Sequence, residues 1–163
     1  SLEQARDEAL TEAQNVLQKA VEIKPDFASA HFLLTQVAVR RGDTRTAIRS
    51  AESAKLVAPL DIGVAFQLGL LYYQINDLSS AEGEFLRALS MNENYSNARY
   101  FLGLIYDRRG QKTQALEQFE KIKLFNPDNQ ELDKIIANLK ANKRALAGIA
   151  PPAPEDRTET PVK

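Results

Sequence analysis

The sequence lacks cysteine and tryptophan, and it has a single histidine, His31, among its 163 residues. Without cysteine there are no disulfides and no thiolate metal ligands, and one histidine is too few for a histidine-based metal site. The seven glycines are scattered, and none of them forms a glycine-rich phosphate loop. We therefore expect no enzyme activity, no metal and no cofactor. We assign His31 a structural role because it falls at a helix-packing position.

Long hydrophobic runs and an excess of one charge are missing as well. The longest apolar stretch, residues 63–73, is well below the ~18 residues that span a bilayer, and Gln67 interrupts it. We therefore expect no direct membrane insertion by this segment. A net charge of −1 gives no overall field that attracts nucleic acid. The sequence fits both a cytoplasmic protein and a soluble fragment tethered to a bacterial membrane through a missing region.

What the sequence does contain is a repeat of 34 residues. Shifting the chain by this interval aligns an alanine column (Ala13, Ala47, Ala81, Ala115), an apolar column (Leu17, Ala51, Phe85, Phe119), a proline column interrupted once (Pro25, Pro59, Glu93, Pro127) and a column of small residues (Thr35, Gly69, Gly103). Within a unit the apolar positions recur at the spacing of two amphipathic helices, and turn residues such as Asn76-Asp77 separate them. The repeat predicts tandem helical hairpins, with Ala81 and Ala115 fully buried where two helices meet.

The most specific sequence motifs of the repeat are LGLLYY with AEGEFLRA at 68–88, and LGLIY with ALEQFEKI at 102–122. These segments resemble the tetratricopeptide repeat family, and the resemblance extends from Ala13 to about Asn129. It implies an all-α fold, a right-handed superhelical solenoid of antiparallel helix pairs. Because Thr35 replaces a glycine, we expect the first full unit to pack more loosely. We place the helices at 2–23, 28–41, 44–57, 62–75, 78–91, 96–109, 112–125 and 129–145.

The chain divides into a solenoid at 1–147 and a proline-rich tail at 148–163 that we expect to be disordered. The solenoid comprises a partial unit at about 1–27, full units at 28–61, 62–95 and 96–129, and a capping helix at 130–147. The capping helix has apolar residues on one face only, as the end of a repeat array requires.

The resemblance also implies that the first helix of each unit lines a concave groove. The candidate groove residues are Ser29, Phe32, Gln36, Val39, Arg40, Gly63, Phe66, Leu70, Tyr73, Gln74, Asn97, Tyr100, Leu104, Asp107 and Arg108. The column Phe32, Phe66, Tyr100 suits an amphipathic helix or an extended peptide. Alternatively, these rings pack against neighbouring helices. If they are mainly exposed, removing them should weaken partner binding and leave folding nearly intact.

We expect a scaffold that binds a peptide or helix of a partner protein and no nucleic acid. Chaperone-binding members of the family hold a terminal carboxylate with Lys and Asn at groove columns that here carry Phe32 and Gln36, so that clamp is not reproduced. The basic cluster Arg40, Arg41, Arg45 and Arg49 is favoured as a solvated face over an acidic-peptide or phosphate contact.

Two other functions stay open. One is a structural or oligomerisation module, in which another copy or the chain's own tail fills the groove. The other is a regulatory domain of a larger bacterial membrane protein such as a cell-surface polysaccharide polymerase. The second rests on resemblance to modules that occur as soluble C-terminal domains of O-antigen polymerase-like proteins.

Overall fold

The structure is a computed structural model that describes residues 1–150. Over these residues it contains eight α-helices and no strand. The helices are α1 (Leu2–Ile23), α2 (Ala28–Arg40), α3 (Thr44–Val57), α4 (Ile62–Gln74), α5 (Leu78–Met91), α6 (Ser96–Arg108), α7 (Lys112–Phe125) and α8 (Gln130–Lys140). The predicted bounds of α1 to α7 agree with these within one residue. Most of the predicted disordered tail, residues 151–163, lies outside the described residues.

The last helix is shorter than predicted. We expected it to continue to about residue 145 or 147, but α8 ends at Lys140. Asn142 adopts a left-handed backbone with φ 57°. The Lys143 N–H then donates to the Asn138 carbonyl at 2.8 Å, and the Asn142 N–H donates to the Leu139 carbonyl at 3.0 Å. This pair of bonds is the Schellman motif, which satisfies the last carbonyls of a helix and turns the chain away.

The same motif ends the first helix of each full unit. Gly42, Asn76 and Gly110 all have positive φ at equivalent positions of the repeat. The helices that follow start with side-chain caps in two of the three units: Asp43 accepts from the Thr46 N–H, and Asp77 accepts from the Ser80 N–H, each at 3.1 Å. Turn and cap residues at fixed positions therefore set where each hairpin reverses.

The helices form two compact units that divide between Ala98 and Arg99, within α6. In the first unit each helix from α1 to α5 packs against the next one along the chain, and in the second α7 packs against α8. The interior of the first unit includes Leu68 and Phe85. Ile105 and Ile135 are fully buried residues of the second. The prediction that Ala81 and Ala115 are fully buried is confirmed.

A close approach of helix to ring explains the small-residue column. A Cβ placed on Gly69 would lie 2.6 Å from Cε1 of Phe85, and one on Gly103 would lie 2.5 Å from Cε2 of Phe119. Both distances are too short for any real Cβ, so only glycine fits beside a phenylalanine here. The first full unit has the opposite arrangement, with the larger Thr35 and the smaller Ala51 at the equivalent positions.

The Thr35 and Ala51 pair bears on the looser packing expected of the first full unit. Both residues are completely buried, and the Thr35 hydroxyl donates to the His31 carbonyl at 2.9 Å. His31 itself is buried, and its Nε2 lies 2.8 Å from the Pro25 carbonyl, to which it donates. The histidine therefore fastens the loop before α2, which is a structural role. In this unit the larger side chain stands in the small-residue column and the smaller one in the apolar column, and both are buried.

A charged cluster also holds the first unit together. Glu84 on α5 is buried and pairs with the Lys55 ammonium of α3 and with the Arg87 guanidinium of its own helix. Arg87 donates in addition to the Pro59 carbonyl at 2.6 Å. One carboxylate therefore links two helices and the loop that separates successive hairpins. The Glu84 carboxylate is shielded from solvent because Lys55 and Arg87 cover it.

Candidate functional site

Within the first unit, the candidate groove residues lie on two neighbouring helices, α2 and α4. A Cβ on Gly63 would lie 3.8 Å from Cε2 of Phe32, so the Phe32 ring of α2 reaches the first turn of α4. This contact joins one side chain of α2 to the start of α4. We call the surface that they share the α2–α4 face and define it by Phe32, Gln36, Val39, Arg40, Leu70 and Gln74.

The α2–α4 face combines apolar and polar groups that solvent can reach. Val39 is 42% exposed, and Phe32 and Leu70 are half-buried. Arg40 and Gln74 are exposed at equivalent positions of successive units, and Gln36 is half-buried. Such a surface can bury apolar side chains of a ligand and offer hydrogen-bond donors and a positive charge beside them.

The aromatic rings behind this face are packed more closely than expected. Phe66 lies 5.8 Å from Phe85 and 5.4 Å from Tyr95, with the Tyr95 ring perpendicular to it. Burial raises the pKa of the Tyr95 hydroxyl. Edge-to-face pairs at these distances stabilise a fold beyond their area. Removing Phe66 should therefore destabilise the protein, which favours the alternative that this ring packs against neighbouring side chains.

Tyr100 makes comparable contacts in the second unit. Its ring lies 5.7 Å from Phe119 at 87° and 5.6 Å from Phe101 at 78°. Its hydroxyl donates to Glu131 of α8 at 3.2 Å. The tyrosine therefore joins the capping helix to the hairpin before it. Tyr100 is half-buried, as Phe66 and Tyr73 are, so these rings pack and are also partly exposed.

Two candidate groove residues of α6 are not available as surface. Leu104 and Asp107 are both buried, with 8% and 6% exposure. The Asp107 carboxylate accepts from the Ala145 N–H at 3.0 Å and from the Lys112 ammonium. The segment after α8 therefore occupies the position where a ligand would reach Asp107. Their assignment to an open groove is wrong, whereas Arg108 and Asn97 on the same helix are exposed.

The remaining candidates and the arginine cluster are mostly at the surface. Ser29 is exposed, and Gly63 is partly covered by Phe32. In the cluster, Arg41 donates to Gln14 of α1 at 2.6 Å, and Arg49 donates to Thr46 at 3.3 Å. Arg40, Arg41, Arg45 and Arg49 are all exposed, which agrees with a solvated face.

Several shifted pKa values belong to structural contacts. Hydrogen bonds from the side chain and backbone of Thr46 lower the pKa of Asp43, and those of Ser80 lower the pKa of Asp77. Burial, and then the hydrogen bond to Glu52 at 2.7 Å, raises the pKa of Tyr72 above its usual value.

Residues 1–150 contain neither a metal site nor a membrane-spanning helix. No group of three or more His, Cys, Asp or Glu side chains in this part of the chain is placed to hold a metal ion. Among the same residues, no helix has the length and hydrophobicity needed to cross a membrane.

Sequence reasoning missed one group of charged and polar residues. Arg109, Lys112, Asn142 and Arg144 meet in the second unit beside Asp107 and Arg108. The doublets RR at 108–109 and KR at 143–144 were visible in the sequence. Their meeting was not, because it depends on where α8 ends.

These hairpins match known structures. MamA has a TM-score of 0.77 and 21% identity, over 86% of this chain and 82% of that one. YrrB, a TPR protein described as having an unusual peptide-binding site, has a TM-score of 0.74 and 22% identity, over 88% of this chain and 76% of that one. The first TPR of Spaghetti (RPAP3), bound to the HSP90 peptide SRMEEVD, has a TM-score of 0.65 and 16% identity, over 71% and 91%.

The class of protein follows from these similarities, which at such identities show the fold alone. It is an all-α helical solenoid built from tandem hairpins, as predicted. The family model of the tetratricopeptide repeat matches residues 66–129. The chain is therefore similar to that family over these residues, and it has that family's fold. No curated protein matches the sequence.

Proposed function

We propose that this chain is a non-catalytic scaffold and that its α2–α4 face binds a helical or extended segment of a partner protein. The observation that carries the proposal is the composition of this face. Partly exposed apolar groups, Phe32, Val39 and Leu70, occur beside polar ones on two adjacent helices. A row of apolar anchors with a polar margin suits a peptide segment better than a small molecule or a nucleic acid.

Two of the similar structures support a peptide as the ligand class. One is described as having an unusual peptide-binding site, and the other holds a peptide of HSP90. The ligand proposed here differs from a carboxylate-terminated chaperone tail, because Phe32 and Gln36 stand where the clamp for such a tail would need Lys and Asn. We expect affinity to come from apolar side chains of the ligand and orientation to come from Arg40 and Gln74.

The experiment is a selection of peptides from a random library on the full chain, followed by affinity measurements on variants. Val39→Asp places a charge in the α2–α4 face at a partly exposed position and should reduce affinity about thirtyfold, as the loss of an interface anchor does. Leu56→Asp is the matched control, because Leu56 lies on α3 and is 84% exposed. It makes the same kind of change away from the proposed face.

The outcomes separate the proposal from its rivals. Loss of binding in Val39→Asp with normal binding in Leu56→Asp supports the α2–α4 face. Selected peptides that bind both variants like the unmodified chain would place the ligand elsewhere. Circular dichroism and thermal melting of both variants check that the helices remain folded.

A further inference from the structure

Helix α1 carries large apolar side chains that solvent reaches. Leu2, Val16 and Ile23 are 92%, 60% and 85% exposed, and none of the 22 residues of this helix is buried. The three side chains stand seven residues apart or a multiple of seven, and the exposed Ala9 takes the remaining position. Residues at this spacing lie along one side of a helix. We call them the α1 row and define it by Leu2, Ala9, Val16 and Ile23.

The α1 row borders a packing face that is only partly covered. The repeat columns of this helix are Ala13, Leu17 and Ala20, and all three are half-buried. The equivalent side chains of α3, α5 and α7 are at most 5% exposed. Those helices are covered by the helix that precedes them in the hairpin, as Gly69 of α4 lies against the Phe85 ring of α5. Helix α1 packs against α2, which follows it, so its other side is left as an apolar surface of helical shape.

The α1 row is complementary to itself when two copies of the helix meet antiparallel. A two-fold axis between residues 12 and 13 places Leu2 level with Ile23 of the second copy, and Ala9 level with Val16 of the second copy. Large side chains then meet at both ends of the contact, and a small one meets a larger one between them. A two-fold interface requires this, because the same patch is used by both copies. A parallel pair would set Ala9 against Ala9 and leave a gap in the middle of the row.

The charged residues beside the row fit the antiparallel arrangement. Glu8, Glu12 and Lys19 lie along one edge of the row, and all three are exposed. With the same axis, Glu8 of each copy lies within one turn of Lys19 of the other, which gives two contacts between opposite charges. Glu12 lies beside Glu12 of the second copy near the axis, which gives one contact between like charges. The opposite-charge contacts outnumber the like-charge contact.

We propose that α1 is a dimerisation helix, and that a second copy of this chain covers the α1 row in an antiparallel pair. Single exposed apolar side chains are common on proteins, whereas a row at heptad spacing along a whole helix is typical of helix pairing. The row includes no residue of the α2–α4 face. A dimer of this kind therefore carries two copies of that face, and a partner with two binding segments would bind it more tightly than it binds one chain.

The register is tested by cross-linking, because the sequence has no cysteine of its own. Ala9→Cys and Val16→Cys are made as separate variants, one of them with a short tag that changes its mass. In the antiparallel pair, unlike cysteines are level with each other. Like cysteines are seven residues apart along the axis, about 10 Å, which exceeds the Cα separation of about 7 Å that a disulfide allows. Mild oxidation of the mixture should therefore form heterodimers at least about tenfold faster than either variant forms homodimers.

The strength of the dimer is measured by sedimentation velocity over a range of concentrations. Val16→Asp should raise the dissociation constant of the dimer at least about tenfold, because it places a charge in the centre of an apolar contact. Leu56→Asp is the matched control, since Leu56 lies on α3 and is 84% exposed, and it should leave the constant unchanged. Glu12→Gln should lower the constant about twofold by removing the like-charge contact. Circular dichroism checks that each variant is folded.

Four results would overturn the proposal. Sedimentation of the unmodified chain as a monomer at millimolar concentration would exclude the dimer. A dimer that is equally strong in Val16→Asp would place the contact on another surface. Homodimers of the single cysteine variants that form as fast as the heterodimer would exclude the antiparallel register. A monomeric chain whose selected peptides lose affinity in Val16→Asp would assign the α1 row to a partner protein.

Discussion

The fold is tested most sharply where a residue of the small-residue column contacts a residue of the apolar column, as Gly69 contacts Phe85. Replacing Gly69 by alanine places a Cβ 2.6 Å from Cε1 and 2.8 Å from Cδ1 of Phe85. The Phe85 ring is fully buried and cannot move outward to relieve the overlap. Overpacking of this kind costs about 1–3 kcal/mol, against which the higher helix propensity of alanine returns about 1 kcal/mol. We expect a net loss of up to about 2 kcal/mol.

Gly83 supplies the control within the same hairpin. It lies in the middle of α5, is exposed, and has nothing within 4 Å of an added Cβ. Gly83→Ala should therefore stabilise the chain by about 0.5–1 kcal/mol through helix propensity alone. Urea unfolding followed by circular dichroism measures both variants under identical conditions. If Gly69→Ala were as stable as Gly83→Ala, the proximity of α4 to the Phe85 ring would be wrong.

A double substitution extends this test. Gly69→Thr with Phe85→Ala recreates the pair that Thr35 and Ala51 form in the first full unit. Phe85→Ala alone should cost about 3–5 kcal/mol because it leaves a cavity. Since threonine fills part of that cavity, the double variant should be more stable than the sum of the single losses by about 1 kcal/mol or more. If the losses of the two single variants were strictly additive in the double variant, the two side chains would not share one packing space.

The remaining predictions concern other contacts. Ala81→Leu should cost about 1–3 kcal/mol in urea unfolding by overpacking, and unchanged stability would contradict its burial between helices. Glu84→Ala should cost about 1–3 kcal/mol because it leaves two cations without their carboxylate, whereas Glu84→Gln should cost less; equal losses would argue against the hydrogen bonds. The cap hydrogen bonds lower the pKa values of Asp43 and Asp77. The stability that these carboxylates contribute is therefore fully present above their unfolded pKa of about 4, and it is lost as the pH falls through their folded pKa. Replacing both by asparagine, also a good cap, should make acid unfolding less steep below about pH 4, and an unchanged pH profile would exclude these groups. Light scattering with and without residues 148–163 tests self-association, and a monomer in both cases would count against the oligomerisation module.

Much of the helix layout could be predicted because it repeats. Alanine, proline and turn residues return every 34 residues, and local chemistry at each return fixes a helix end. This is why the bounds of seven helices agree within one residue. The end of α8 was missed because Asn142 lies two residues before the position at which the repeat places a turn, and nothing in the periodicity marks it.

The surfaces were harder to predict than the helices. The family resemblance assigned Leu104 and Asp107 to a groove because they occupy the same columns of the 34-residue repeat as the groove candidates of the earlier units. In the last unit, however, the segment after α8 binds Asp107, and a pattern taken from earlier units cannot include a segment that they lack. The packing of Phe66 on Tyr95 was missed for a related reason, since Tyr95 lies in a loop between hairpins.

The central claim is that the α2–α4 face binds a partner segment, and the most direct measurement is a nuclear magnetic resonance titration. A peptide selected on the full chain would be added to the ¹⁵N-labelled protein while amide shifts are followed residue by residue. The account predicts that the largest changes fall on α2 and α4, around Gln36, Val39 and Leu70. Changes confined to α3 and α5, with those amides unmoved, would contradict it.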